Sequence, residues 1–169
     1  MKALTSCALA LLLCSSTAVL AAEKEKGGIS ITFNSDDART HMGPRHNAHD
    51  ARAAVTTRHN NAMLLLMHDD VAVQLTDSAL AKMNAKEESS FLQDLLASTV
   101  KLAAGKSVEF PIANIKSAEV RDGVLVLTSD QGKPVFDNVK VNGDDLTRDL
   151  SPADAAKFVE AFRKAKARR

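Results

Sequence analysis

Apolar residues recur along this chain in two rhythms. At 63–67 (MLLLM) and 71–75 (VAVQL) two short apolar runs flank His68, Asp69 and Asp70, a pattern that predicts a β-hairpin with a tight polar turn. In the second run Val71, Val73 and Leu75 alternate with other residues and share one face. Period-two alternation also predicts strands at 29–33, 108–112, 115–120, 124–127 and 135–141. Asp122-Gly123 marks a type I′ hairpin turn, because both residues accept the positive φ that this turn needs. Gln131-Gly132 and Asn142-Gly143 mark two more turns.

The second rhythm is helical. Thr76 or Asp77 caps a short helix running to Met83. A longer amphipathic helix is expected over 87–104, with Phe91, Leu92, Leu95, Leu96 and Leu102 on one stripe and Gly105 as the stop. Ser151-Pro152-Ala153-Asp154 has a hydroxyl cap, a proline at the first helical position and an early acid, and it opens a final helix whose buried stripe is Phe158, Val159 and Phe162. The stretch 34–61 has few large apolar residues and Gly43-Pro44 in its middle, so it reads as a His/Arg-rich loop. One short helix is expected in it, capped by Asn47, using Ala48, Ala51 and Val55 and ending near Arg58. The resulting fold class is α+β: a mostly antiparallel sheet with the long helix and the C-terminal helix packed on one face.

The first 22 residues carry a cation at Lys2, an apolar stretch and small residues ending in Ala21 and Ala22, the pattern of a secretory signal peptide. The apolar run is short for a bilayer span, and no later segment can cross one. Residues 23–28 then read as a flexible leader, and 29–169 as one domain of the periplasm or the cell exterior. Both cysteines, Cys7 and Cys14, lie in the segment expected to be removed, which leaves no thiol for a disulfide, a nucleophile or a zinc ligand. Lipidation at Cys14 is disfavoured by Leu13 before it.

The whole chain has 22 Lys and Arg against 21 Asp and Glu, and losing Lys2 with the leader balances the two signs, so bulk charge names no partner. With no Trp, no Tyr and six Phe, the stacking platforms of sugar and single-strand nucleic-acid sites are missing, and a nucleic-acid partner is not expected. The sequence has no GxSxG elbow, HExxH helix, glycine-rich phosphate loop or EF-hand ladder. Asp69-Asp70 and Asp144-Asp145 are adjacent acids, which do not face one another on a strand or helix. The reading that remains is a non-enzymatic exported module that binds another protein of the envelope or exterior.

One anomaly stands out. All five histidines, His41, His46, His49, His59 and His68, fall within 41–68, and Asp36, Asp37, Asp50, Asp69 and Asp70 lie among them or close on either side. Neutral imidazoles suit Zn, Cu or Ni, so the alternative function is divalent-metal binding through His46, His49, His41 and Asp50. Its variant is a pH sensor, because clustered imidazoles gain charge together below about pH 6.5. Against a metal stand Arg39, Arg45, Arg52 and Arg58, which are interspersed and would repel a cation. The plainer account is a set of solvated loop histidines.

Overall fold

The structure is a computed structural model that describes residues 31–32, 39–84, 106–137, 139–141 and 144–168. The expected signal segment, the leader, the helix over 87–104 and the Asn142-Gly143 turn lie outside the described residues.

Strand β1 (Ile31–Thr32) is followed by β2 (His41–Pro44), β3 (Ala53–Thr56), β4 (Ala62–Leu66) and β5 (Asp70–Leu75), then helix α1 (Asp77–Asn84) and β6 (Lys106–Pro111). After a 3-10 turn at Ile112–Asn114 come β7 (Ile115–Arg121), β8 (Val124–Ser129), β9 (Pro134–Val135), β10 (Lys140–Val141), β11 (Asp144–Asp145) and helix α2 (Pro152–Ala167). Every strand pair among the described residues is antiparallel. The strands form one five-stranded sheet in the order β2-β6-β5-β4-β3 and two three-stranded sheets, β7-β8-β9 and β1-β10-β11. The fold is therefore α+β.

The register of the five-stranded sheet sorts its side chains. Val55, Leu64, Val73 and Val108 lie opposite one another from strand to strand, as do Leu66, Val71 and Phe110. These residues belong to the hydrophobic core, joined by Leu125 and Leu127 of β8 and by Ala155, Phe158, Val159, Phe162 and Ala165 of α2. Helix α2 lies against β3 and β4 of one sheet and β7 and β8 of another, so its apolar stripe closes the core between them. The remaining strand positions point to the reverse face, and there lie Gly43, Gln74, Ser107 and Glu109.

The hairpin of β4 and β5 forms as the apolar runs predict, with Leu64 opposite Val73. Thr76 starts α1, its hydroxyl oxygen accepting the Ala79 amide at 3.1 Å. Asp122 and Gly123 take φ of 51° and 78° and close the hairpin of β7 and β8. Two expectations need correction. Of the stretch 34–61, residues 39–61 supply β2, a 3-10 turn at Ala48–Asp50 and β3 in place of a loop and helix. Asn47 does cap, its side-chain oxygen accepting the His49 amide at 3.0 Å. The chain then pairs with β4, because burying Val55 in the core outweighs the weak helical spacing of small residues. The expected strand at 135–141 is split into β9 and β10 at Phe136, which is buried with a φ of 63° and turns the chain.

Two outcomes follow for the C-terminal helix. Phe158 is fully buried, so Phe158→Ala lowers unfolding free energy by about 3–5 kcal/mol in a denaturant titration. Ser151 caps α2 through the Asp154 amide at 3.0 Å, and its hydroxyl donates to the Asp154 carboxylate at 2.6 Å. That hydroxyl is the main cause holding Asp154 below its ordinary value of 3.8, with Lys157 adding to it. A lowered acid contributes stability that is present above about pH 3.8 and lost as pH falls through its folded value. Ser151→Ala should cost about 1 kcal/mol at pH 7, and the gap to the wild type should narrow in titrations below pH 4.

Candidate functional site

Strand β6 alternates Ser107 and Glu109 with Val108 and Phe110. Since Val108 and Phe110 face the core, Ser107 and Glu109 face the other way, and both are buried, Glu109 at 6% exposure. In register with them the reverse face carries two rows. One runs His41, Glu109, Ala72, Leu65 and Ala54; the other runs Gly43, Ser107, Gln74, Met63 and Thr56. The rows bring together on one sheet residues far apart in sequence.

Glu109 is the hub. Its Oε1 accepts from the Ser107 hydroxyl at 2.5 Å and from His46 Nε2 at 2.8 Å, while its Oε2 lies 3.3 Å from His41 Nε2. The carboxylate presses on β2 where only glycine fits: a Cβ on Gly43 would come within 1.8 Å of Oε1. Gln74, fully buried, clamps the backbone of His46, its Oε1 accepting the His46 amide and its Nε2 donating to the His46 carbonyl, both at 2.9 Å. The same Nε2 lies 3.5 Å from Met63 Sδ. Among the described residues no buried side-chain nitrogen or oxygen lacks a hydrogen-bond partner.

The two histidines differ in setting. His46 is three-quarters buried with its ring on Glu109, whereas the His41 side chain is 51% exposed. Both ring nitrogens of His41 face acceptors, Nε2 towards Glu109 and Nδ1 towards the Arg39 carbonyl at 3.3 Å. A neutral ring has one proton to offer these two acceptors; an imidazolium has two. Asp70 lies on the same face of β5 as Gln74. Burial, then the Glu109 charge, raises its carboxyl above the ordinary value of 3.8, with Asp69 adding to this and His41 and His46 opposing it.

Beside His46 opens a cleft of about 430 Å³ lined by Arg45, His46, Asn47, Ala48, His49, Met63, Gln74 and Asp77. Arg45 is committed within it, donating to the Leu75 carbonyl at 2.8 Å and to Asp77 at 2.5 Å. Of the residues that the sequence put forward as metal ligands, the structure brings His41 and His46 together at Glu109. It places His49 at the cleft and leaves Asp50 exposed on the 3-10 turn. The remaining histidines sit elsewhere: His59 lies 3.0 Å from Asp149 and 3.6 Å from Asp144, and His68 lies 2.9 Å from Asp69. Among the described residues no group of three or more His, Cys, Asp and Glu side chains is arranged to hold a metal ion. None of the described helices is long and apolar enough to cross a membrane.

The fold and this cluster define an α+β domain with a histidine–carboxylate site on the reverse face of its main sheet. Comparison with known proteins finds no family model, no curated relative and no solved structure that matches the chain. Sequence reasoning missed Glu109, Ser107, Gln74 and Met63. Their signal is a polar residue inside an otherwise apolar strand, Gln74 in VAVQL and Glu109 in KSVEFP, which in a doubly buried strand demands a partner.

Gly43→Ala tests the hub directly. The new methyl displaces the Glu109 carboxylate from Ser107 and His46, which should cost roughly 1–3 kcal/mol in a denaturant titration and move the His46 ring resonances in NMR spectra. Unchanged stability and ring shifts would show that the carboxylate is not pinned.

Proposed function

We propose that the chain is a small, non-enzymatic, exported module that binds a protein partner of the envelope or exterior, and that proton uptake at the His41, Glu109 and His46 cluster sets the state of its binding surface. The observation that carries this reading is the buried Glu109 carboxylate with an imidazole at each oxygen, one of them half exposed and facing a second acceptor. A second proton on the His41 ring supplies both of its acceptors, one of them a charge already buried, and draws β2 onto the sheet.

The groups that face the cluster are Asp70 and Asp69 at the start of β5, the Arg39 carbonyl before β2, and Ser107 on β6. The Arg39 guanidinium pairs with Asp130, and that of Arg45 with Asp77. Asp70 sets a sign that can be worked out. A carboxyl raised above 3.8 contributes stability that is present below that value and lost as pH rises through its folded value. Acid therefore tightens this region through Asp70.

Native-state hydrogen exchange in metal-free buffer tests the proposal. After correction for intrinsic rates, amides over 41–49 should be about tenfold better protected at pH 5 than at pH 7.5, what one hydrogen bond to a charged group supplies. His41→Gln, at a half-exposed position that tolerates the change, should remove most of that difference. Equal protection at the two pH values, or a full difference retained in His41→Gln, overturns it.

A further inference from the structure

The Glu109 contact fixes which nitrogen of His46 carries the proton. Nε2 lies 2.8 Å from a carboxylate oxygen, so it donates, and the lone pair of the neutral ring is left on Nδ1. Among the described residues Nδ1 has no partner, and no buried polar atom goes unsatisfied, so Nδ1 is not buried, and it belongs to a residue that lines the cleft. A histidine whose far nitrogen is held by a carboxylate, itself held by a hydroxyl, has the supporting arrangement that metal-binding histidines use. Two further donors line the same cleft. His49 stands on the capped turn, its amide fixed by Asn47, and Met63 presents a thioether whose sulfur accepts one hydrogen bond, from Gln74. Gln74 also grips the backbone of His46, so one buried amide sets Met63 and His46 side by side.

We infer that this cleft is a binding site for a soft monovalent metal ion, Cu(I), with His46 Nδ1, His49 and Met63 Sδ as its ligands. The donor chemistry decides the ion. A thioether with two neutral imidazoles is a soft set without charge, which selects Cu(I), whereas structural zinc takes four ligands from Cys, His and carboxylates. The one carboxylate lining the cleft, Asp77, is engaged by Arg45 and offsets the guanidinium charge that would oppose a cation. The site shares His46 with the proton-responsive cluster. The exchange experiment runs without metal and the one below at a single pH, so either reading can fail alone.

The test uses the full chain carrying Cys7→Ser and Cys14→Ser, so that the leader thiols cannot capture the metal. Cu(I) is titrated anaerobically at pH 7 against a chromophoric Cu(I) chelator, and the loaded protein is examined by X-ray absorption. The expected result is one Cu(I) per chain with one sulfur and two nitrogen scatterers. Met63→Leu, which conserves volume, and His49→Ala, at an exposed position, keep the fold and should each weaken retention by about tenfold or more, with the sulfur scatterer lost in Met63→Leu. Glu109 acts as a positioning residue, and Glu109→Gln should weaken retention by about 10- to 100-fold while leaving the sulfur scatterer in place. The inference is overturned if the chelator strips wild type and Met63→Leu alike, if no sulfur scatterer appears, or if Zn(II) is held as tightly as Cu(I) and indifferently to Met63→Leu.

Discussion

A strand buried on both faces must find a partner for every polar side chain it carries. Strands β5 and β6 are in that position: Val73, Val108 and Phe110 fill the core, and on the other side Ala72, Gln74 and Ser107 are equally closed to solvent, with Glu109 nearly so. Leaving Gln74 or Glu109 unpaired there would cost more than any one apolar contact returns. The chain answers with the 45–49 turn. Its backbone at His46 meets Gln74 and its ring meets Glu109, so the need to satisfy two buried polar groups fixes where the turn lies and how the edge strand β2 approaches. Gly43 belongs to the same solution, because the carboxylate occupies the space in which any other residue would place its Cβ.

This constraint links the two chemical readings of the site. A ring held through Nε2 offers Nδ1 to a metal only while it is neutral. On the two proposals, protons and a soft metal compete for His46.

Elements whose signal is local were legible in the sequence. The β4 and β5 hairpin, the Asp122-Gly123 turn and the capped start of α2 each rest on residues within a few positions of one another, and each forms where the pattern places it. The edge strands β2 and β3 were not legible. Gly43, Pro44, Ala53 and Ala54 have little strand preference of their own, and their conformation is imposed by pairing with Ser107 and Lys106 on one side and Leu66 and Leu65 on the other. The site was half legible for the same reason. The histidines announced themselves by clustering, and Asn47 as a cap. Their carboxylate lies 63 positions away from His46, and only the strand register brings it across.

The arginines of the same region show why composition alone misjudges the site. Interspersed among the histidines, they seem to make the segment hostile to any cation. In the fold each of three is spent elsewhere: Arg39 on Asp130, Arg45 on Asp77 and the Leu75 carbonyl, Arg58 on the Leu150 carbonyl. Arg52 lines a separate cleft against α2, with Lys157, Lys164 and Arg168. What faces the His46 cleft is therefore close to neutral, and in so small a volume the field at an ion is set by the nearest paired charges rather than by the count along the sequence. A segment that reads as a basic loop thus folds so that the one arginine lining the cleft is paired with a carboxylate.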